Sequence, residues 1–317
     1  MRMKLCMTVL LAWLVFCGST VAAVVPRIEV NPDGKGLKLL VFEGSDHHRN
    51  YVDRGKILGD LYFNYLVDNK TYSVKLSDLQ SEILENTAGK IQIFWQLPAG
   101  VRLYQTFTVS GEEIEWDIEF FNRSHHTVNI LDMCLTVPIG AIDESVQACQ
   151  NLNRHFSLNG NSSFLYWIPY TGQGDILLMS MKKGTAMEYA TWDGKYYLHA
   201  TNVVDRASDT WRIPSTSKTV APYQRYLTGF NFTVAKDHTD LRGKLYDKGN
   251  VLVKVAPGMV VTPEMEVYCA LQTQLPVEQL TVECPEQIKV ANIGKTKDNK
   301  YIYKFLFSLL VFPIFFL

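Results

Sequence analysis

Glu113-Ile114-Glu115-Trp116-Asp117-Ile118-Glu119-Phe120 decides the fold class. Four acids alternate with four large apolar residues, and only a strand sends successive side chains to opposite faces. Val101-Arg102-Leu103-Tyr104-Gln105-Thr106-Phe107-Thr108-Val109 repeats the pattern, and Ser110-Gly111 supplies a tight turn between the two runs. Working outward, further strand-like runs are Leu37–Glu43, Leu61–Val67, Lys90–Leu97, Val128–Val137, Phe164–Ile168, Ile176–Met181, Tyr196–Val203, Tyr226–Val234 and Val251–Val255. Ala88-Gly89, Ala99-Gly100 and Asp193-Gly194 punctuate them. Helical patterning is confined to Asp237–Lys248, with Thr239 or Asp240 as cap and Gly249 as stop. No βαβ rhythm recurs, which argues against doubly wound and TIM-barrel architectures. The expectation is an all-β chain: a large antiparallel β-sandwich with at most one or two short helices.

The two ends read differently from the middle. Arg2 and Lys4 precede an apolar run from Leu5 to Phe16, and small residues follow up to Val21-Ala22-Ala23. That is the pattern of a secretory leader cleaved after Ala23, and the apolar run is too short to span a bilayer. A secreted protein, periplasmic or extracellular, is expected, with the sandwich domain over residues 24–304. At the other end Lys295–Lys304 is polar and basic, and Phe305–Leu317 is apolar except for Ser308. With Pro313 inside, that tail is short for a membrane helix. It reads either as a lipid-anchor signal, which would place the protein on a surface, or as the product of a truncated or frameshifted frame.

Of 31 basic and 32 acidic residues, Arg2 and Lys4 leave with the leader, so the mature net charge is −3. So mild a charge gives no case for nucleic acid as a partner. Four cysteines remain: Cys134, Cys149, Cys269 and Cys284. If Glu266–Gln274 and Glu278–Cys284 fold as a hairpin about Pro276-Val277, Cys269 and Cys284 face each other and a disulfide is geometrically open to them. Two buried free thiols are the other reading. No Cys-x-x-Cys occurs, and the adjacent pairs His47-His48 and His125-His126 point to opposite faces of a strand, so no metal site and no cofactor is expected. The acids of Glu113–Glu119 stand about 7 Å apart along their strand, and they read as a solvated face paired with lysines.

The densest polar and aromatic stretch runs from Asn151-Leu152-Asn153-Arg154-His155-Phe156-Ser157 to Gly160-Asn161-Ser162-Ser163-Phe164-Leu165-Tyr166-Trp167-Ile168-Pro169-Tyr170. Sugars present an apolar ring face rimmed by hydroxyls, so a site for them needs a flat aromatic beside planar hydrogen-bonding groups. Tyr166, Trp167 or Tyr170 offers the platform, and Arg154, His155 and Asn161 the polar contacts. The competing reading sends Phe164, Tyr166 and Ile168 to the core. Trp192, before the Asp193-Gly194 turn, is a further exposed platform, whereas Trp95 reads as core. No pair of carboxylates stands out for glycoside hydrolysis. The nucleophile turn, the phosphate loop and the His-Glu-x-x-His zinc motif are absent.

Arg154-His155-Phe156-Ser157…Gly160…Ser163-Phe164-Leu165-Tyr166-Trp167, with Trp211-Arg212-Ile213-Pro214-Ser215-Thr216-Ser217, Leu241-Arg242…Leu245-Tyr246…Gly249 and Val255-Ala256-Pro257-Gly258-Met259-Val260-Val261, resembles the N-terminal part of a family of large secreted bacterial proteins of unknown function. The resemblance implies a galactose-mutarotase-like β-supersandwich, followed in full-length members by a helical toroid, a layout similar to that of polysaccharide lyases and glycoside hydrolases. Asn161 and Ser162 depart from the histidine and glycine of the family pattern. After Tyr301-Ile302-Tyr303-Lys304 the family pattern continues, whereas this chain runs into Phe305–Leu317; the resemblance therefore favours truncation and a missing C-terminal helical domain.

The functional expectation is a carbohydrate-interacting module of a glycan-degrading protein, with an oligo- or polysaccharide as partner and without a complete catalytic apparatus of its own. Two rivals stand beside it. One is an intact sugar-active enzyme, mutarotase-like or hydrolytic, with His155 in proton transfer. The other is a surface-anchored structural or adhesion protein.

Overall fold

The computed structural model describes residues 23–307 apart from 48, 148–149, 192, 207–215, 259–261, 263–264 and 283. Cys149, Trp192, His48, the leader before Ala23 and residues 308–317 thus lie outside the described residues.

Strands are numbered in chain order. A large sheet runs β10 (Leu152–Ser157), β11 (Phe164–Pro169), β12 (Ile176–Met181), β16 (Arg225–Ala235), β8 (Glu113–Asn122), β7 (Val101–Ser110), β6 (Lys90–Gln96), β5 (Ser81–Asn86). A second sheet runs β13 (Tyr189–Ala190), β14 (Lys195–Ala200), β9 (Val128–Thr136), β3 (Leu61–Val67), β4 (Lys70–Lys75), and β15 (Lys218–Val220) also pairs with β9. The two sheets stack face to face. Trp95, Phe107, Trp116, Phe120, Phe230 and Phe232 from the large sheet share one core with Phe63, Tyr65, Met133, Leu135 and Tyr196 from the second. The alternation at Glu113–Phe120 is the cause: every apolar member of that run is buried.

That core carries a satisfied polar link. The Trp116 indole N–H donates to the Gln105 amide oxygen at 2.9 Å, and the Gln105 amide donates to the Gly59 carbonyl at 2.7 Å. A fully enclosed amide would otherwise cost on the order of 1–3 kcal/mol. On the opposite face of β8 the acids find cations: Lys182 reaches Glu115 and Asp117, each at 2.7 Å, Lys248 reaches Glu113 at 2.7 Å, and Arg225 pairs with Glu119.

β1 (Val25–Val30) and β2 (Leu37–Glu43) form a separate ribbon. A four-stranded sheet, β17 (Leu252–Ala256), β18 (Glu266–Gln272), β20 (Lys300–Phe307), β19 (Ile288–Lys295), has its own small core.

Several expectations are corrected here. The run Tyr196–Val203 ends as strand at Ala200 and continues as helix α1 (Thr201–Arg206). The Asp132 carboxylate turns it, accepting from the Asn202 backbone N–H and side-chain amide, both at 2.9 Å. Helix α2 (His238–Asp247) is capped by Asp237 rather than Thr239 or Asp240; its carboxylate accepts from the N–H groups of both, at 2.7 and 2.8 Å. The hairpin proposed for the disulfide does not form, because β18 takes β17 and β20 as its neighbours. Cys269 and Cys284 are free thiols in the same small core. The sequence boundary at 304/305 falls inside β20, where Phe305 and Phe307 are buried.

Candidate functional site

β10 and β11 carry most of the residues that the sequence singled out, and their register separates them. Arg154 pairs with Trp167 and His155 with Tyr166. Cross-strand partners share a face and successive residues alternate, so the two pairs lie on opposite sides of the sheet. Trp167 enters the main core and is fully buried, its indole N–H donating to the Ile139 carbonyl at 3.0 Å. It is not a ligand platform. Tyr166 packs instead on the outer side, in the cluster beneath α2, and exposed His155 stacks on its ring at 4.9 Å and 13°. Asn161 sits in the β10–β11 turn and Tyr170 follows the far end of β11, roughly 20 Å away at strand rise. The sequence constellation does not converge.

What does converge lies beside the start of β10. Residues 47, 49–54, 56, 140–145 and 150–152 line a cleft of about 860 Å³. Its two principal walls are tied together: Val52 bridges to Ile139, the Asp53 N–H donates to the Pro138 carbonyl at 2.9 Å, and the Asp53 carboxylate accepts from the Ala141 N–H at 2.9 Å. Trp167 secures the second wall from below through Ile139. Gly140, at φ 91°, permits this, because a Cβ there would stand 3.1 Å from Trp167 Cδ1 and 3.2 Å from the Leu152 carbonyl. The aromatic expected to touch a ligand instead holds a loop that lines the cleft.

Among the described residues, none of the candidate ligand contacts named from sequence lines this cleft; Arg154 and Tyr170 lie outside its lining but interact with residues that form it. The Arg154 guanidinium lies 5.7 Å from the Tyr196 ring centre and beside Gly194, and its charge reaches Asp53. Tyr170 is exposed and its N–H donates to the carbonyl of Asn151, a lining residue, at 3.0 Å. Burial lifts the Asp53 carboxyl above its ordinary value; the N–H groups of Ala141 and Gly140 and the cations Arg154 and Lys56 hold it back. Arg49 reaches Asp143 at 3.5 Å. Asn151 accepts from the Asp143 N–H at 2.9 Å, and Asn50 is spent on the backbone of Leu40 and Val52. Arg49, Arg54 and Lys56 balance Asp53, Asp143 and Glu144, a wall without a dominant sign. Among the described residues no group of three or more His, Cys, Asp and Glu could hold a metal ion.

Sequence reasoning missed residues 47–56 and 140–145. The only local signal was the density of polar side chains around Asp53-Arg54-Gly55-Lys56; the bridge from Val52 to Ile139, 87 positions on, is a tertiary fact.

No family model and no curated protein matches this chain. Among solved structures, a polysaccharide lyase superposes with a TM-score of 0.66 at 14% identity, over 90% of this chain. The fold is a large antiparallel β-sandwich like the one in that lyase. A galactose mutarotase related enzyme from Lactobacillus acidophilus gives a TM-score of 0.43 at 9% identity, over 69% of this chain and 97% of its own. An α-galactosidase from Lactobacillus brevis gives 0.39 at 9% identity, over 72% and 41%. This chain spans 43% of the lyase's length. Among the described residues no helix is long and apolar enough to cross a membrane.

Proposed function

We propose that this chain is a secreted carbohydrate-interacting module of a glycan-degrading protein, and that the cleft at Asp53, Asp143 and Asn151, with the Arg154 charge bearing on Asp53, takes an oligo- or polysaccharide. The observation that carries the reading is the cleft itself. Its volume of about 860 Å³ lies within the range of small-ligand sites. Its walls supply planar donors and acceptors of both signs in near balance, which suits a neutral, hydroxyl-rich ligand better than a polyanion. Tyr170, exposed and tied through its backbone N–H to the lining residue Asn151, offers an apolar ring for a sugar face. The likeness in fold to a polysaccharide lyase supports a saccharide as ligand, and we propose that catalysis needs the helical domain of a longer protein.

Titration of the chain with oligosaccharides chosen from a glycan array tests the reading. Arg154→Ala and Tyr170→Ala are each expected to weaken binding about tenfold, near 1.4 kcal/mol. An array without a binder, or affinities indifferent to both substitutions, overturns it. N-terminal sequencing of exported material is expected to begin at Val24. A second reading, an intact sugar-active enzyme, is favoured by Asp53, a half-buried carboxyl in the cleft whose burial lifts its pKa above the ordinary value and so favours its proton-holding form. Accelerated anomer equilibration of a free sugar, lost in Asp53→Asn, would select it over the first.

A further inference from the structure

Away from the cleft, a chain of four side chains runs from exposed Thr216 and half-buried Glu188 to buried His199 and half-buried Tyr226. The Thr216 hydroxyl and N–H both bind the Glu188 carboxylate, the N–H at 3.1 Å. His199 Nδ1 lies 3.0 Å from the Thr216 hydroxyl, and His199 Nε2 lies 2.9 Å from the Tyr226 hydroxyl. A bulge between Tyr197 and His199 in β14 turns His199 inward, opposite Met133 of the core, and Tyr226 faces it from β16 opposite Phe120. His199 is 8% exposed. Beyond Tyr226 the Thr228 and Thr185 hydroxyls continue the line at 2.9 Å.

We propose that Glu188, Thr216, His199 and Tyr226 form a proton relay in which a single proton on Glu188 selects the tautomer of His199 and the hydrogen-bond direction of the Tyr226 hydroxyl. With Glu188 ionised, one arrangement satisfies every group. Thr216 O–H donates to Glu188, His199 Nδ1–H donates to Thr216, and Tyr226 O–H donates to His199 Nε2. When Glu188 holds a proton, each link reverses. Glu188 donates to Thr216, Thr216 to Nδ1, and Nε2–H to the Tyr226 oxygen, whose own hydrogen then points outward. The change balances in hydrogens. The Tyr226 proton moves to Nε2, the Nδ1 proton to the Thr216 oxygen, the Thr216 proton to Glu188, and water returns one proton to the Tyr226 oxygen.

The electrostatics fit a relay that carries one proton rather than an ion pair. Burial raises the Glu188 carboxyl to about 7, against N–H donation from Thr216 and Ala200. Burial, and then the Lys218 ammonium, lower His199 to about 4, so the ring stays neutral across the range in which Glu188 titrates. Among the described residues the charged or titratable groups bearing on the relay are Lys218 of β15, whose Nζ stands 5.1 Å over the Tyr226 ring, and Tyr226 of β16, whose phenol is raised by burial and by Glu188.

Nitrogen-15 NMR of the histidine rings between pH 5.5 and 8.5, with His199 assigned by loss of its signals in His199→Gln, tests the proposal on the whole chain. The expected result is a neutral ring that passes from the Nε2–H to the Nδ1–H tautomer as pH rises, with a midpoint near 7. The step should vanish in Glu188→Gln. It should also vanish in Thr216→Val, which leaves Glu188 in place and cuts the hydroxyl link. A tautomer constant with pH in the wild type, conversion to imidazolium in this range, or a step that persists in the folded Thr216→Val protein overturns it.

Discussion

Replacing Glu188 by Gln should change how stability depends on pH, in a direction set by two opposed effects of burial. Glu188 ionises at about 7 in the folded chain against an ordinary 4.5. Between those values the folded state holds more protons than the unfolded state, so this group's contribution falls as pH rises. His199 ionises at about 4 against 6.5. Between those values the unfolded state holds more protons, so its contribution rises with pH. The two windows overlap from pH 4.5 to 6.5, and there the slopes oppose each other. A tenfold change in proton affinity is worth about 1.4 kcal/mol, so the lowering of His199 corresponds to roughly 3 kcal/mol. The Glu188 contribution is smaller, on the order of 1–2 kcal/mol, once solvent screening of its partly exposed carboxyl is discounted. Urea unfolding followed by fluorescence of the buried Trp95, Trp116 and Trp167 would be run on wild type and Glu188→Gln at unit steps from pH 4.5 to 8.5. The stability difference, variant minus wild type, is expected to rise by about 1–2 kcal/mol up to pH 7 and then level off. Subtracting the two proteins removes every other titrating group. A difference that is flat or falls with pH would refute the reasoning, since Glu188 would then not hold its proton more tightly in the folded chain.

Trp167→Ala should cost about 3–5 kcal/mol through the cavity it leaves, and in the folded fraction hydrogen exchange should quicken at residues 137–145, which it anchors; unchanged exchange there would show that the loop is held otherwise. Alkylation of the native protein at pH 8, read site by site by mass spectrometry, should label half-buried Cys284 well ahead of Cys134, whose thiol burial pushes up to about 12, and ahead of buried Cys269. Asp237→Ala should remove about 1 kcal/mol by uncapping α2, seen as faster exchange at Thr239 and Asp240 and no change in β8.

The sequence by itself determined the layers. Alternation in Glu113–Phe120 and Val101–Val109 is a local, period-two fact, and it dictates strands with one buried face whatever the topology. Leu37–Glu43, Leu61–Val67 and Ile176–Met181 are strands over the ranges read from the chain. Strand β10 escaped because it is an edge: from Asn153 to Phe156 every residue is exposed, so no burial pattern marks it. Which side chains meet was decided by tertiary structure alone. Adjacent Arg154 and His155 are parted by the pleat, and Trp167 is drawn into the core because β11 packs between β10 and β12. Asp53 finds Ala141, and Glu188 finds Thr216, across separations of 88 and 28 residues. Such pairings follow from how strands are ordered in a sheet and how two sheets stack, and no period in the chain encodes either.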